Sequence, residues 1–432
     1  MPALIPPLVV LLAPLAVLFA PQQVLAADAI DKGDTAWLLV SSAMVLLMVP
    51  GLALFYGGMV RSKNMLSTLM HSLIAMGLIT IQWSLLGYSL AFGPDIGGFV
   101  GGLDHVFLSG VGTEPNGTIP HLLFMAFQGM FAIITPALIS GAIAERMKFS
   151  TYCVFIVLWS TLVYDPIAHW VWGGGGWLLE MGALDFAGGT VVHLSSGISA
   201  LVMALVIGRR IGHPTEPILP HNLGFTVLGA GMLWFGWFGF NAGSALASGE
   251  SATLAFVNTH IAAAAAAISW TVAEWWHSKT PSTLGTASGL VAGLVVITPA
   301  AGLVTPMGAM AMGLMGGVVC FLGVLVKRPL GYDDSLDAFG IHGVGGLLGA
   351  LLTGIFATTV FNPDATPGVL EGNLAVMGPQ ILGVLATIAY AGAVTFILVK
   401  VLEKTMGLRV EEEDERQGLD ITQHGEQAYR LF

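Results

Sequence analysis

The sequence predicts an all-α polytopic membrane protein, and three observations support that fold class. Of the 432 residues, 55% are hydrophobic and only 9% are charged, whereas a soluble globular chain carries roughly 25% charged residues. The mean hydropathy is +0.82. Eleven apolar stretches each have the length of about 20 residues that a membrane-spanning helix needs. So few charges cannot solvate a soluble protein of this size, and the remaining surface must face lipid.

The eleven predicted spans follow residue 35. They cover residues 36–60, 65–92, 120–144, 150–171, 188–207, 221–242, 254–276, 283–301, 305–326, 338–358 and 375–399. The transmembrane domain is therefore predicted over residues 27–399, with spans 1–5 in residues 36–207, spans 6–10 in residues 221–358 and the eleventh in residues 375–399. Residues 400–432 form a polar tail that includes the acidic run EEEDER.

Residues 1–26 are predicted to be a cleaved secretory signal peptide. An apolar core is followed by Val-Leu-Ala directly before Ala27, which is typical of a signal-peptide cleavage site. Pro6, Pro7 and Pro14 suit a removed segment better than a packed helix. The alternative is an additional retained span, because the first residues contain no Lys or Arg.

The basic residues predict the orientation of the chain in the membrane. With the mature N-terminus outside, only Lys32 among the basic residues stays outside. The cytoplasmic side would receive Arg61, Lys63, Arg146, Lys148, Arg209, Arg210, Lys279, Lys327, Arg328, Lys400, Lys404, Arg409, Arg416 and Arg430. Cytoplasmic loops carry an excess of Lys and Arg. The predicted topology is therefore N-out and C-in, in the inner (plasma) membrane.

The fifth and tenth spans share a sequence pattern. FAGGTVVHLSSG places His193 after Asp185, and AFGIHGVGGLLG places His342 after Asp337. The second copy lies five spans after the first, an odd offset, so it is inverted relative to the first. This is the pattern of an inverted five-plus-five repeat, in which the functional site lies at the interface of the halves.

The two histidines are predicted to serve a pore. Ionisable residues inside a membrane are costly and usually face a pathway. A neutral imidazole has one donor and one acceptor nitrogen, so two rings can share one proton, and burial disfavours their charged forms. Two histidines without a nearby carboxylate or thiolate in the spans make a poor metal site, and no metal or cofactor is predicted. Asp337 is expected to cap a helix N-terminus. Asp185 could also attract cations.

Aromatic residues lie near the predicted outer ends of several spans. Phe127 and Phe131 occur in FQGMFAIITPAL, Trp172 in HWVWGGGGW, and Phe240 and Ser244 in WFGWFGFNAGSA. Most tryptophans in such proteins are interfacial belt residues. Aromatic faces nevertheless attract a desolvated cation by about 2 kcal/mol, and a hydroxyl among them would prefer a cation that donates hydrogen bonds.

Several long motifs resemble the bacterial members of the ammonium transporter (Amt/Mep/Rh) family. They are PGLALFYGGMVRSKN, FAIITPALISGAIAER, DFAGGTVVH, WFGWFGFNAGS, FGIHGVGG and GLRVEEEDERQGLDITQHGEQAY, in that order between residues 28 and 429. The resemblance implies eleven spans, an inverted five-helix repeat and a homotrimer with one pore per subunit. It also implies that the tail responds to PII-type signalling proteins.

The resemblance also implies roles for individual residues. It assigns Phe131, Trp172 and Ser244 to an outer recruitment site, Phe131 and Phe240 to a gate, His193 and His342 to the narrow pore, Asp185 to acidic support near the outer site, and Tyr164 and Trp237 to aromatic support. Asp337 and Phe127 are predicted from the sequence as a further supporting acid and a further supporting aromatic residue. Trp172 and Ser244 are both present, which favours the Amt branch over the Rh branch. His71, His260 and His277 receive no role.

The predicted function is transport of ammonium, with methylammonium as an analogue, by deprotonation and passage of neutral ammonia. Net proton transfer and neutral transport both remain open. One alternative is an ammonium sensor coupled to PII proteins. Another is an intramembrane enzyme with Ser195 or Ser196 as nucleophile, but neighbouring positions on a helix point in different directions from His193. The protein is therefore predicted not to be an enzyme, and no nucleic acid partner is expected.

Overall fold

The computed structural model describes residues 29–429, and helices dominate it. Eleven helices in this range are long and apolar enough to cross a membrane, which confirms the predicted fold class. They are α1 (Lys32–Met59), α2 (Ser62–Phe92), α3 (His121–Ile143), α4 (Phe149–Glu180), α5 (Gly189–Ile207), α6 (Leu223–Gly243), α7 (Glu250–Ser278), α8 (Thr283–Ala300), α9 (Pro306–Leu330), α10 (Phe339–Phe356) and α11 (Leu374–Thr405). The predicted signal peptide, residues 1–26, lies outside the described residues.

Short hairpins on one side and short helices on the other distinguish the two faces of the helical bundle. Between α2 and α3, β1 (Asp95–Ile96) pairs with β2 (Val100–Gly101), and β3 (Pro115–Asn116) pairs with β4 (Ile119–Pro120), both antiparallel. We call this side the hairpin face. The opposite side, the tail face, carries the short helices α12 (Glu412–Gln417) and α13 (Leu419–His424).

Several helices extend beyond the predicted spans. The eleventh was expected to end at residue 399, but α11 continues to Thr405, and α7 begins four residues earlier than the predicted 254. The predicted limits follow hydropathy, which falls at charged residues such as Glu250 and Lys400. Backbone hydrogen bonds continue through these residues, because charged ends of a spanning helix project into the polar boundary of the membrane.

The two halves of the bundle repeat the same contacts. In the first half, α2 packs against α1, α3 and α4, and α3 packs against α5. In the second half, α7 packs against α6, α8 and α9, and α8 packs against α10. Between the halves, α1 packs along α6, and the first turns of α5 and α10 touch although they come from opposite faces. This arrangement is the predicted inverted repeat.

Four π-helical segments interrupt the spans. Two lie in the first half of the bundle, Trp83–Gly87 in α2 and Ser160–Tyr164 in α4. The other two, Gly189–Leu194 and Phe339–Gly343, open α5 and α10. A π-helical turn contains an extra residue, so it redirects the side chains on either side, and such turns are frequent at functional sites.

A charged network joins the loops of the tail face. The buried Glu145 carboxylate accepts hydrogen bonds from Arg61 at 3.1 Å and from Arg210 at 2.9 Å. Arg210 also binds Asp333 through Nη2, at 2.8 Å. Burial opposes ionisation of both acids, but the Arg210 guanidinium outweighs it, so the pKa of Glu145 and the pKa of Asp333 lie below their usual values. This network connects the loops of the two halves.

The tail helices dock on the same network. Glu415 of α12 accepts hydrogen bonds from the Arg409 side chain and from the Ile211 backbone amide. The Asp420 carboxylate of α13 accepts from the Ser67 amide of α2 at 2.8 Å. The tail is therefore attached to α2 and to the connection between α5 and α6.

Candidate functional site

The centre of the molecule is the crossing of α5 and α10, and glycine makes this crossing possible. A Cβ at Gly197 would lie 2.1 Å from the backbone nitrogen of Gly343, and a Cβ at Gly346 would lie 2.7 Å from the carbonyl oxygen of Gly189. Only residues without a Cβ permit backbones to approach so closely. The crossing brings the two π-helical first turns into contact.

His193 and His342 meet at this crossing. Their Nδ1 atoms are 3.3 Å apart, and their rings lie 5.3 Å apart at 25°. The two side chains are 1% and 4% exposed. One Nδ1 must donate and the other must accept, so the pair holds a single shared proton between neutral rings. The sequence prediction that the two histidines lie close together is consistent with this geometry.

A narrow cavity runs beside the two imidazoles. Its lining consists of Met48, Leu52, Phe55, Ile134, Leu138, Val192, His193, Leu233, Trp237, Phe240, Val291 and His342. Its volume is about 10 Å³, which is close to the minimum that one water molecule needs. Nε2 of His193 has no hydrogen-bond partner among the described residues. The cavity therefore offers an apolar wall and one free imidazole nitrogen to a molecule of about the size of water.

A continuous series of aromatic rings leads from the hairpin face to His193. Trp172 meets Phe131 edge-on at 6.0 Å, and Phe131 lies 4.1 Å from Phe240. Phe240 stacks on His193 at 6.0 Å and 21°. Phe127 packs edge-on against Phe131 at 5.0 Å. The Phe131–Phe240 contact therefore lies between Trp172 and the histidine pair.

The hydroxyl of Ser244 lies at the outer end of α6. Its Oγ donates to the carbonyl oxygen of Phe240 at 2.8 Å, so its lone pairs remain available as acceptors. The Trp172 indole is fixed by a hydrogen bond from Nε1 to the Asp185 carbonyl oxygen at 2.9 Å. Both residues are partly exposed. This pair therefore faces the hairpin side, above the phenyl contact.

Asp185 organises the start of α5. Its carboxylate accepts hydrogen bonds from the amides of Gly188, Gly189 and Thr190 at 2.6 to 2.8 Å, and also from the Thr190 hydroxyl. Burial raises the pKa of Asp185, and these donors oppose the rise. The carboxylate thus satisfies the amides that a helix start leaves unpaired. It holds the turn that carries His193.

The expected capping role of Asp337 at α10 is wrong, and Asp334 fills it. The Asp334 carboxylate accepts from the amides of Ala338 at 3.1 Å and Phe339 at 2.8 Å. Asp337 instead adopts a left-handed conformation with φ 63° and pairs with Lys327. Burial raises the pKa of Asp334 to about 6, although the Lys327 ammonium lowers it. The carboxylate with access to the free amides lies one turn earlier than expected.

Trp237 and Tyr164 occupy different surroundings. Trp237 lines the cavity, stacks on His193 at 5.3 Å and 26°, and donates from Nε1 to the Thr298 hydroxyl at 2.9 Å. Tyr164 is fully buried at the end of the π-helical segment in α4 and lies 6.3 Å from Trp83. It does not line the cavity. Of these two, only Trp237 contacts the histidine pair.

The serines beside His193 have no nucleophile geometry. Ser195 donates its hydroxyl to the Val191 carbonyl at 2.6 Å, and Ser196 donates to the Val192 carbonyl at 2.5 Å. A nucleophilic serine needs a base that accepts its proton, whereas these protons are directed to the helix backbone. The described residues contain no group of three or more His, Cys, Asp or Glu side chains that could hold a metal.

The three histidines without an expected role lie elsewhere. His71 is fully buried, 4.4 Å from the Tyr152 ring, and neither of its nitrogens has a hydrogen-bond partner within residues 29–429. His260 stacks on Trp234 at 5.3 Å. His277 meets Phe321 edge-on at 5.8 Å. None of them lines the cavity.

Sequence reasoning missed two acidic residues. Asp334 precedes His342 by eight residues, as Asp185 precedes His193, so equal spacing would have selected Asp334 rather than Asp337. Asp165 is the single acidic residue in the predicted span 150–171, and it is completely buried. An ionisable residue inside a spanning segment is itself a signal of a function or of a specific partner.

The fold and the site define a multi-pass membrane protein with a small enclosed cavity between two inverted halves. The model of the Ammonium Transporter Family matches residues 36–429. An ammonium transporter of Bacillus subtilis (strain 168) is 51% identical over 402 residues, covering 92% of this chain and 98% of that protein. Ammonium transporter Amt1 of Archaeoglobus fulgidus is 48% identical over 397 residues, covering 92% and 99%.

Solved structures agree with the sequence comparisons. Mep2 of Saccharomyces cerevisiae superimposes with a TM-score of 0.84 at 39% identity, covering 89% of each chain. A protein described as a sensor Amt protein gives a TM-score of 0.85 at 31% identity, covering 91% of this chain and 98% of its own. The chain belongs to the ammonium transporter family.

Proposed function

We propose that this protein recruits ammonium at its hairpin face, removes one proton and conducts ammonia along the cavity beside His193 and His342. The observation that carries the proposal is the histidine pair itself. Two neutral imidazoles with a 3.3 Å Nδ1–Nδ1 distance line a cavity about one water molecule in volume. Such a wall has weak polar contacts for a small neutral molecule and no charge to balance an ion.

Recruitment would use Trp172, Phe131 and Ser244. The aromatic faces attract a cation by about 2 kcal/mol where water is excluded. The Ser244 oxygen keeps free lone pairs because its proton is directed to the Phe240 carbonyl. Ammonium donates a hydrogen bond to such an oxygen, whereas potassium has no proton to donate. The site therefore prefers ammonium without a ring of backbone carbonyls.

Deprotonation follows from the energetics of the cavity. Moving an uncompensated ion into an apolar interior costs on the order of tens of kcal/mol, which a few aromatic contacts cannot offset. Ammonia avoids this cost, and the proton that ammonium loses either returns to water at the hairpin face or passes along the two imidazoles. With three N–H groups and one lone pair it matches the free Nε2 of His193, whether that nitrogen donates or accepts.

The test is transport by reconstituted proteoliposomes. Wild-type protein is expected to take up ammonium and methylammonium and to exclude potassium. His193→Ala and His342→Ala are expected to lose selectivity or conduction, because each leaves the Nδ1 of the remaining ring without its hydrogen-bond partner. His260→Ala is the matched control, since that ring stacks on Trp234 outside the cavity. Unchanged rates and selectivity in both pore variants would refute the proposed mechanism.

We also infer that the functional unit is a homotrimer in the inner membrane, with the hairpin face outside and the tail face in the cytoplasm. The basic residues of the tail-face loops support this orientation. A PII-type protein would bind at the tail face, where α12 and α13 dock beside the loops. Native mass spectrometry would measure the subunit number, and accessibility of cysteines placed at Ser109 and Glu426 would report the two faces.

A second candidate function is ammonium sensing. The structural similarity to a protein described as a sensor Amt protein favours it, and the docked tail provides a surface through which cavity occupancy could be signalled. Sensing would persist in a variant that binds ammonium and does not conduct it. Loss of the cellular nitrogen response in every conduction-defective variant would exclude sensing as an independent function.

A further inference from the structure

A second buried polar pair lies between α2 and α4, away from the cavity. The Gln82 side chain donates from Nε2 to Asp165 Oδ2 at 2.8 Å, and Nε2 also lies 3.0 Å from the Thr161 hydroxyl oxygen. Asp165 is 0% exposed and Gln82 is 7% exposed. Both residues adjoin π-helical segments, since Gln82 directly precedes Trp83–Gly87 and Asp165 directly follows Ser160–Tyr164.

Each side chain of this pair has one oxygen without a partner. Asp165 Oδ1 and Gln82 Oε1 are both buried and unbonded among the described residues. An ionised carboxylate and an amide carbonyl both accept and cannot bond to each other. Burying two polar oxygens without hydrogen-bond partners is unfavourable. A proton placed between Asp165 Oδ1 and Gln82 Oε1 would supply the missing hydrogen-bond donor.

No basic side chain supplies that hydrogen. Asp165 forms no salt bridge with any residue in the described range. The titratable neighbours along its helix are Tyr164 and His169, and both His169 nitrogens are engaged, one with the Ala91 carbonyl at 3.0 Å and the other with Asp95 at 2.9 Å. A bare carboxylate charge at this depth in a membrane is strongly unfavourable.

We propose that Asp165 and Gln82 form a proton-binding site in which a neutral carboxylic acid pairs with the amide. The observed bond from Gln82 Nε2 to Asp165 Oδ2 is one half of this pair. The bound proton completes the other half, from Asp165 Oδ1 to Gln82 Oε1. One proton thereby satisfies both unpartnered oxygens and removes the buried charge.

The pair joins the two π-helical segments of the first half of the bundle. Gly87 leaves the space for it, because a Cβ there would lie 2.8 Å from Gln82 Nε2 and 3.0 Å from Asp165 Oδ2. Neither Gln82 nor Asp165 lines the cavity beside the histidines. The site therefore holds its proton away from that cavity, and the inference does not rest on the proposed transport function.

Infrared difference spectroscopy tests the inference on the intact protein. The spectrum of the wild-type protein minus that of Asp165→Asn, both at neutral pH, is expected to show the carbonyl stretch of a protonated carboxylic acid. This band should shift in D2O. Asp104→Asn is the matched control, because Asp104 is exposed at the hairpin face and should contribute no such band. A wild-type spectrum without the Asp165-dependent band would overturn the proposal.

Thermal unfolding in detergent supplies the second measurement. Asn has the shape of the neutral acid, donates to Gln82 Oε1 and accepts from Gln82 Nε2, so Asp165→Asn should keep the wild-type Tm. Asp165→Leu removes both bonds and should lower the Tm by several degrees. Failure of Asp165→Asn to fold, or a wild-type Tm for Asp165→Leu, contradicts the inference. Both measurements are independent of transport activity.

Discussion

Two buried polar pairs among the described residues lie in or next to π-helical segments. His193 and His342 lie in the π-helical first turns of α5 and α10, whereas Gln82 and Asp165 flank the π-helical segments of α2 and α4. The histidine pair lines the cavity and leaves Nε2 of His193 free. The second pair does not line the cavity. We infer that the pair lining the cavity contacts the molecule proposed to be transported, and that the pair away from the cavity stabilises the fold.

Glycine substitutions test this difference with the largest expected effect. Gly197→Ala places a Cβ 2.1 Å from the Gly343 backbone, whereas Gly87→Ala meets only side-chain ends of Gln82 and Asp165 at 2.8 and 3.0 Å. A backbone cannot move aside as a side chain can. Gly197→Ala should destabilise the fold by more than about 3 kcal/mol and abolish transport.

The Gly87→Ala variant should fold, with a smaller loss of stability. Gly77→Ala is the control for both substitutions, because a Cβ there meets nothing within 4 Å, and it should match wild type in Tm and uptake. Thermal unfolding and proteoliposome uptake would measure the three variants. Equal losses at Gly197 and Gly87 would contradict the view that the two pairs are held by different means.

The N-terminal caps of α5 and α1 provide the second test. Asp185→Ala removes the acceptor of four backbone amides, and hydrogen bonds to a charged group contribute about 1.5 to 3 kcal/mol each. A loss of about 2 to 4 kcal/mol in the free energy of unfolding is expected after partial relaxation. Asp31→Ala, which caps α1 through one amide of Asp34, should cost about 1 kcal/mol. Denaturant unfolding would compare them.

Replacement of Trp172 sharpens the comparison by changing kinetics rather than stability. Trp172→Leu removes an aromatic face worth about 2 kcal/mol to a cation, so the KM for ammonium should rise about 30-fold. Uptake measured as a function of ammonium concentration tests this. Asp165→Asn serves as the comparison variant and should leave KM unchanged, because the pair of Gln82 and Asp165 does not line the cavity.

The smallest expected effect is at Ser244. Ser244→Ala removes one hydrogen-bond acceptor for ammonium, worth about 1 kcal/mol, so the KM should rise about five-fold with little change in maximal rate. Ser248→Ala is the matched control, because Ser248 Oγ bonds Asp34 of α1. An equal rise in KM for both variants would show that Ser244 has no specific contact with the substrate.

Much of the fold was predictable because it depends on composition and spacing. Eleven spans follow from apolar run length, and the inverted repeat follows from the histidines of the fifth and tenth spans. The ends of α7 and α11 were less accurate, because hydropathy falls before the helical backbone ends. The family resemblance named the site residues, but their functional roles remain predictions.

The error at Asp337 has a physical cause. Asp334 and Asp337 both precede α10, which begins at Phe339, and either carboxylate could cap a helix. The choice depends on the left-handed backbone at Asp337, φ 63°, and on Lys327, which binds that side chain. Neither the conformation nor the partner is encoded locally. Asp165 was overlooked for a related reason, since its partner Gln82 lies 83 positions away along the chain.

The sequence by itself determined that the chain crosses the membrane eleven times and carries two histidines in inverted copies of one motif. Those features depend on residue type and order alone. Only the tertiary structure decided that the two rings lie 5.3 Å apart, that Asp334 rather than Asp337 caps α10, and that Gln82 meets Asp165. The ring separation depends on how closely α5 and α10 approach, and that distance is set by residues far apart in the chain, such as Gly197 and Gly343. The Asp334 cap depends instead on the left-handed backbone at Asp337 and on the pairing of that side chain with Lys327.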